Sequence, residues 1–139
     1  MGCKIARFIY DSDTAQAVAA GQNILFSNVV SKTRSIQGNG SGGIQLKTPG
    51  TYRVISSFTI DATAAGAVSV QMSKNNVAAT GGRAGATMAA AGDIATLSIV
   101  DYVTVLPGAS GSYATLTFSP DSGVGVRTAS VLVEKACSC

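Results

Sequence analysis

The chain has 139 residues and contains no histidine, no tryptophan and only one glutamate, Glu134. The absence of histidine excludes Ser–His–Asp and Cys–His catalysis and histidine-ligated metal sites. A glycosidase carboxylate pair would have to draw on the aspartates, since it cannot be built from two glutamates. We therefore expect a protein that is not an enzyme and holds no cofactor or metal. An aspartate-based hydrolase is the remaining enzymatic alternative.

Charge is also scarce, because charged residues make up 12% of the chain, roughly half the usual fraction. The net charge is +3, but the lysines and arginines are scattered singly and are not interleaved with aromatic residues. Nucleic-acid binding normally requires such clusters, so we expect none. A weakly charged surface is easiest to explain if partner subunits cover part of it.

Long hydrophobic runs are missing as well. Asp101 and Thr104 interrupt the most apolar segment, and no run approaches the ~18 apolar residues of a membrane-spanning helix. Residues 1–4 lack the apolar core of a signal peptide. We expect no membrane partner and synthesis in a cytoplasm.

The three cysteines, Cys3, Cys137 and Cys139, all lie within three residues of an end of the chain. Two interpretations stay open: free thiols on the tails, or a disulfide between terminal strands or between subunits. Synthesis in a cytoplasm favours reduced thiols at that stage. Residues 137–139 are too short and too poor in other ligands to form a zinc site.

The sequence is rich in alternation between apolar and polar residues. Residues 50–61 alternate along most of their length, and a period of two predicts a β-strand. The apolar face of this segment consists of Tyr52, Val54, Phe58 and Ile60. Residues 67–74 alternate in the same way, and Asn75 and Asn76 then predict a hairpin, because asparagine tolerates positive φ.

The whole chain predicts one all-β domain, residues 1–139, with a core at about 4–135 and short cysteine-containing tails. Eight to ten strands are expected, and no segment is a confident helix. The apolar or alternating segments are 4–10, 22–30, 34–37, 43–47, 50–61, 67–74, 94–106, 112–118 and 124–135. Residues 11–13 are predicted to form a turn. Residues 78–93, rich in Ala, Gly and Thr, are predicted to be mainly an extended crossover loop, although Ala would allow a short helix at 87–91.

Residues 94–106 are long for a strand and are apolar on both faces. One face carries Leu97, Ile99, Val103 and Val105, and the other carries Ile94, Val100, Tyr102 and Leu106. A strand with two apolar faces is buried on both sides. In a sandwich the outer side is usually covered by another subunit, so this strand predicts a subunit interface. We assign the interface to Tyr52, Leu97, Ile99, Tyr102, Val103 and Val105.

Residues 38–43 formally match G-x-G-x-x-G. A dinucleotide site would need a helix after this turn, whereas the following Ile44-Gln45-Leu46 is strand-like. The segment therefore predicts a loop. It is one of two candidate exposed binding loops, the first carrying Asn39 and Ser41 and the second, at 78–93, carrying Arg83 and Thr87.

The stretch Ile44-Gln45-Leu46-Lys47-Thr48-Pro49-Gly50-Thr51-Tyr52-Arg53-Val54 resembles the "apolar-x-apolar, x-x-x-Gly-x-Tyr-x-Val" stretch of jelly-roll domains related to C1q and tumour necrosis factor. Residues 70–77, 91–94 and 131–135 are similar to other parts of these domains, although Asn76 stands where a hairpin glycine is common. The resemblance covers about residues 4–135. It implies a ten-stranded jelly-roll sandwich (C1q/TNF-like) that forms a compact homotrimer, and it supplies no catalytic residues.

The resemblance is greatest to small versions in bacteriophages and in spore-surface filament tips. It implies a non-enzymatic virion surface structural protein of a bacteriophage, a trimeric capsid decoration or head-fibre protein. The chain has no heptads and no collagen repeat, so we expect residues 1–10 and the cysteine tail to dock on the major capsid protein or a fibre stalk. The alternative is a carbohydrate- or receptor-binding tip of a phage tail fibre or spore filament, used in host attachment to a cell-surface glycan.

Overall fold

The computed structural model describes residues 4–31, 35–106 and 114–136. These residues form ten β-strands and no helix. The strands are β1 Ile5–Val18, β2 Asn28–Ser31, β3 Ile36–Gly38, β4 Ile44–Leu46, β5 Gly50–Ala62, β6 Gly66–Lys74, β7 Val77–Met88, β8 Ile94–Val105, β9 Ala114–Pro120 and β10 Val124–Lys135. The predicted all-β class and the upper end of the predicted strand number are therefore confirmed.

The strands form two antiparallel sheets of five strands each. The first sheet has the order β2-β1-β10-β5-β8, and the second has the order β3-β4-β9-β6-β7. Neighbours in each sheet are mostly distant in sequence, as in a jelly roll, where the chain crosses repeatedly between the two sheets. The predicted jelly-roll sandwich is confirmed.

The core lies between the two sheets and is filled by inward-facing residues of every strand except β2, whose Val29 and Val30 are exposed. The apolar face predicted for β5 points inward, because Tyr52, Val54, Phe58 and Ile60 are fully buried. Phe118 of the second sheet meets Phe58 across the core, with ring centroids 5.2 Å apart. Burial of side chains of this size contributes about 1.5–3 kcal/mol each, so this layer is the main source of stability.

The hairpin predicted after β6 is also confirmed. Asn75 and Asn76 have φ values of 53° and 67°, and Lys74 pairs directly with Val77. A two-residue connection with both residues at positive φ matches the right-handed twist of the flanking strands. Asparagine meets this requirement without glycine.

The turn predicted at residues 11–13 is wrong, because these residues lie inside β1. The pairing of β1 with β10 shifts register between Asp11 and Gln16. Asp11 faces Thr128, and Gln16 faces Val126. The polar residues therefore form a bulge within a continuous strand. The turn prediction failed because the residue composition of this bulge resembles that of a turn.

The crossover loop predicted at residues 78–93 is wrong for most of its length. Residues up to Met88 belong to β7, which lies at the edge of the second sheet and pairs with β6. The inward positions of β7 are Gly82, Ala84, Ala86 and Met88, of which only Met88 is large. There is no room for a larger side chain at Gly82, because a Cβ atom there would lie 3.1 Å from the Cβ atom of Met72. Small residues thus replaced the apolar alternation that identifies a strand.

The short helix considered at residues 87–91 does not form either. After β7, the carboxylate of Asp93 accepts hydrogen bonds from the backbone N–H groups of Ala89 and Ala90, at 3.0 and 3.1 Å. This arrangement closes a turn that leads into β8. An aspartate that binds backbone N–H groups in this way competes with helix formation.

A partly buried hydrogen-bond network connects the turn before β5 to the end of β10. The hydroxyl of Tyr52 donates to the carbonyl oxygen of Thr48 at 2.6 Å and lies 2.8 Å from the Thr48 hydroxyl. The ammonium of Lys135 donates to the same Thr48 hydroxyl at 3.2 Å. The Tyr52 side chain is thus both a core residue and a polar anchor.

We predict that Tyr52→Phe lowers the free energy of unfolding by about 1–2 kcal/mol, because it leaves a partly buried carbonyl oxygen without its donor. Thr87→Val is the control. Thr87 is exposed in β7 of the second sheet and its hydroxyl has no partner among the described residues, so loss of that hydroxyl should change the free energy by no more than about 0.5 kcal/mol. Urea denaturation of both variants measures the difference, and equal losses would contradict the assigned role of the Tyr52 hydroxyl.

Candidate functional site

The residues assigned to a subunit interface divide between the two faces of the first sheet. Tyr52, Leu97, Ile99, Val103 and Val105 are at most 5% exposed and pack in the core of the single chain. Tyr102 is 67% exposed on the outer face. The face assigned from sequence is therefore corrected: a second subunit cannot reach the inner set. Alternation separates the two faces of a strand but does not say which one points inward.

The outer face of the first sheet carries a row of apolar side chains across its strands. Val100 of β8 pairs with Ile55 of β5, and Ile55 pairs with Leu132 of β10. Farther along, Arg7 of β1 lies between Leu132 and Val30 of β2. We call Val30, Leu132, Ile55 and Val100 the outer apolar row. Its end at β8 is the most open, since Val100 is 64% exposed.

Two arginines beside the outer apolar row are paired, whereas Arg7, which interrupts the row at β1, has no ion-pair partner among the described residues. Arg53 of β5 forms an ion pair with Glu134 of β10. Arg127 of β10 binds both carboxylate oxygens of Asp61, at 2.7 and 2.8 Å. The hydrogen bonds and the charge of Asp61 raise the pKa of the Arg127 guanidinium. From β8 to β10 this face therefore offers apolar surface beside paired charges, a composition that suits a covered interface.

The outer face of the second sheet is different, because its cross-strand pairs over β3, β4, β9 and β6 are polar and uncharged, while Arg83 of β7, opposite Gln71, carries a charge. Gln45 of β4 faces Gln37 of β3 on one side and Thr115 of β9 on the other. Thr117 of β9 faces Ser73 of β6. Such hydroxyl and amide side chains are well hydrated and gain little from being covered. The two outer faces thus differ in the way expected for one covered face and one solvent-facing face.

The second candidate binding loop does not exist as a loop. Arg83 and Thr87 both lie in β7, where Thr87 is exposed. Arg83 donates through Nε to the hydroxyl of Ser69 at 3.1 Å, and its Nη2 atom lies 3.6 Å from the Asp121 carboxylate. Asp121 in turn accepts a hydrogen bond from the backbone N–H of Ser69 at 2.8 Å. Arg83 is engaged in holding the β9–β10 connection against β6.

The first candidate binding loop, by contrast, lies between β3 and β4 and is exposed at Asn39 and Ser41. The Asn39 side-chain oxygen accepts hydrogen bonds from the backbone N–H groups of Ser41 and Gly43, at 2.8 and 2.9 Å. Gly42 has a φ of +84°, and a Cβ atom there would lie 2.6 Å from the carbonyl oxygen of Ile24. This loop is therefore a turn closed by its own hydrogen bonds, and it packs closely against residues 23–24.

Two adjacent depressions border this loop and share Gly40. The smaller is a pocket of about 150 Å³ lined by Phe8, Phe26, Val29, Gly38, Gly40, Gly42 and Gly43. The larger is a groove of about 620 Å³ lined by Gln16, Ala17, Val18, Ala19, Gln22, Asn23, Leu25, Gly40 and Ser41. Residues 16–25 were not identified from sequence, since they show no binding motif and reach the loop only through the tertiary fold.

The remaining predicted sites can be placed briefly. Cys3, Cys137 and Cys139 lie outside the described residues. Within residues 4–31, 35–106 and 114–136, no group of three or more Cys, Asp or Glu side chains is placed to hold a metal ion. In the same residues no helix is long and apolar enough to cross a membrane.

Comparison with known proteins supports the fold. The structure is similar to the tumour necrosis factor Eiger of S. frugiperda, with a TM-score of 0.80, 9% identity and coverage of 100% of this chain and 96% of that one. It is similar to the globular domain of zebrafish complement 1qA, with a TM-score of 0.68, 14% identity and coverage of 97% and 98%. No protein-family model and no curated protein matches the sequence. The resemblance to C1q and tumour necrosis factor domains is thus confirmed as a shared jelly-roll fold.

The vertex protein P5 of PRD1 has the same fold, with a TM-score of 0.56, 16% identity and coverage of 99% of this chain and 100% of that one. Identities this low show a shared architecture and carry no individual residues across. Function has to be argued from the surfaces of this chain.

The cluster around Asp121 generates a pH prediction. Partial burial alone would raise the pKa of Asp121, but the hydrogen bonds from Ser69 and the Arg83 charge outweigh it and lower the pKa below its usual value. A lowered pKa in the folded state stabilises the fold above the unfolded-state value, near 4, and this stabilisation is lost as the pH falls through the folded-state pKa.

We therefore predict that Asp121→Asn lowers the free energy of unfolding at neutral pH by less than about 1 kcal/mol, since the pair with Arg83 is largely solvent-exposed. The deficit should shrink as the pH falls below about 4, where the wild-type carboxyl is itself protonated. Urea denaturation curves of the wild type and the variant, recorded at neutral pH and below about pH 4, measure this difference in the free energy of unfolding. A deficit that is constant with pH would show that the Asp121 charge is not what stabilises this connection.

Proposed function

We propose that the protein is a non-enzymatic structural protein of a bacteriophage virion surface, a homotrimeric capsid decoration or head-fibre protein. The observation that carries the proposal is the outer apolar row on one sheet of a jelly roll whose other sheet is polar outside. A self-associating subunit needs this asymmetry, because one face must be covered and the other must stay hydrated.

The outer apolar row suits a self-complementary contact around a symmetry axis. Val100, Ile55 and Leu132 present contiguous aliphatic surface, and Tyr102 adds an aromatic ring beside them. Aromatic and aliphatic residues at the centre with paired charges at the edge are the usual composition of a subunit interface. The C1q/TNF resemblance implies the threefold arrangement, which would bury this face in every copy.

The location on a virion is supported by the shared fold with a protein whose name places it at a virus vertex. A trimer on a virion surface would attach to the particle directly or through a fibre stalk. The partners we propose are therefore a second and third copy of this chain and a virion protein such as the major capsid protein or a fibre stalk. Nucleic acid, membrane and cofactor have no part in the proposal.

The association is tested by placing a charge in the outer apolar row. Val100→Asp should leave the protomer folded but reduce the native mass from about three times 13.9 kDa to the monomer, because an unpaired carboxylate in a buried contact costs several kcal/mol. Val77→Asp is the matched control. Val77 is 69% exposed in the β6–β7 hairpin, away from the row, and this variant should keep the wild-type mass.

Light scattering with and without reductant provides the masses, and circular dichroism shows whether each variant is folded. A monomeric wild-type protein would overturn the trimer. An unchanged mass in a folded Val100→Asp variant would show that the interface lies on another surface. Leu97→Asp should instead unfold the protomer, since Leu97 lies in its core.

The virion location has its own test. Mass spectrometry of purified particles should detect the chain, and the purified protein should bind capsids and ignore host cell walls. Absence from the particles would overturn the structural role. Binding to cell walls with no binding to capsids would favour the alternative, a receptor- or carbohydrate-binding tip domain, for which the groove beside the β3–β4 loop is the favouring observation.

A further inference from the structure

The groove beside the β3–β4 loop has a rigid first wall. This wall consists of residues 16–25, which connect the end of β1 to the segment before β2. The side-chain amide of Gln16 binds the backbone of Leu25 twice, since Nε2 donates to the carbonyl oxygen and Oε1 accepts from the N–H, both at 2.9 Å. Gln16 therefore holds the connection in place.

The opposite wall is the turn at residues 39–43. It is closed by the two hydrogen bonds to the Asn39 side-chain oxygen and by a backbone bond from Asn39 N–H to the Gly43 carbonyl at 3.0 Å. The two walls are joined by Asn23, whose Nδ2 donates to the Ser41 carbonyl at 3.2 Å. A groove held in this way is largely formed before a ligand arrives, which lowers the entropic cost of binding.

The polar groups that remain available in the groove are neutral. Among the described residues, the Gln22 amide, the Asn23 side-chain oxygen and the Ser41 hydroxyl have no hydrogen-bond partner. None of the described residues that line the groove is charged, and Leu25, 48% exposed, adds an apolar surface. Neutral amides and a hydroxyl beside an aliphatic side chain complement the hydroxyl groups and C–H faces of a sugar. They offer no counter-charge to a phosphate or a carboxylate.

The smaller pocket extends this chemistry. It is lined by Phe8 and Phe26, whose rings meet edge to face with centroids 6.0 Å apart. The Phe26 ring also contacts the Phe118 ring edge to face, with centroids 6.5 Å apart. Gly38 keeps the floor open, since a Cβ atom there would lie 3.2 Å from the Phe8 ring. An apolar pocket of about 150 Å³ accepts one small apolar group.

We propose that the groove and the pocket together bind a neutral saccharide that carries an apolar substituent, such as an N-acetyl or deoxy-sugar methyl group. The sugar ring lies in the groove against Leu25 and hydrogen-bonds to Gln22, Asn23 and Ser41. The substituent enters the pocket over Phe26. The groove volume lies within the range of about 300–1,000 Å³ usual for small-ligand sites. The site lies within one chain, so it does not depend on the trimer proposed above.

The test is a nuclear magnetic resonance titration of the isotopically labelled full chain with the methyl glycosides of N-acetylglucosamine, rhamnose and glucose. Amide shifts should concentrate at residues 16–25 and 38–43. The N-acetyl and deoxy sugars should bind more tightly than glucose, because glucose has no apolar substituent for the pocket. Absence of shifts at these residues with all three glycosides would overturn the proposal.

Gln22→Ala should weaken binding about three- to tenfold, the loss expected from one or two neutral hydrogen bonds. Gln45→Ala is the matched control. It removes the same side-chain amide from the outer face of the second sheet, and Gln45 does not line the groove. Equal weakening in both variants would overturn the assigned groove. Amide shifts at the pocket with N-acetylphenylalaninamide but with none of the glycosides would also overturn the proposal. The occupant would then be an aromatic side chain of a protein partner.

Native mass measured on the same samples keeps the two proposals separate. Saccharide binding by a monomer would leave this inference standing while the trimer failed. A trimer that binds no glycoside would leave the trimer proposal standing and overturn the saccharide site.

Discussion

Every strand except β2 contributes inward-facing side chains to one core between two sheets, where Phe58 contacts Phe118. This packing explains why β5 alternates so regularly and why Ser56, the buried exception, donates its hydroxyl to the Ile99 carbonyl at 3.1 Å. It also explains Gly82 of β7, where a Cβ atom would lie 3.1 Å from the Cβ atom of Met72. With few aromatic residues and no tryptophan, the core depends on many aliphatic contacts of moderate size.

Once the inner faces are committed to this core, the outer faces are free to differ, and their difference is the strongest functional signal in the molecule. The first sheet presents aliphatic residues in register across β10, β5 and β8, with Arg53 and Arg127 paired to carboxylates. The second sheet presents hydroxyls and amides. A monomer has no physical reason to place Ile55, Val100 and Leu132 side by side on its surface, whereas an assembling subunit does.

The groove arises from a different constraint. The closed turn at residues 39–43 can approach Ile24 only because Gly42 lacks a Cβ atom, and Gln16 fixes the facing segment through both atoms of its amide. Gln16 holds one loop, Asn39 closes the other, and the hydrogen bond from Asn23 to the Ser41 carbonyl joins them, which leaves a preformed cleft. The same loops have no charged group within the cleft, so its preference for a neutral ligand follows from composition as well as shape.

The sequence by itself determined the all-β class, the hairpin at Asn75–Asn76 and the inner face of β5, because local alternation and positive-φ residues act between near neighbours. The resemblance in residues 44–54 added the jelly-roll topology. Three features were decided only by the tertiary structure: which face of β8 points inward, the bulge at residues 11–13 and the strand status of β7. The meeting of residues 16–25 with the β3–β4 loop is a fourth. Each depends on contacts between segments distant in the chain, and a period of two repeats identically on either face of a strand.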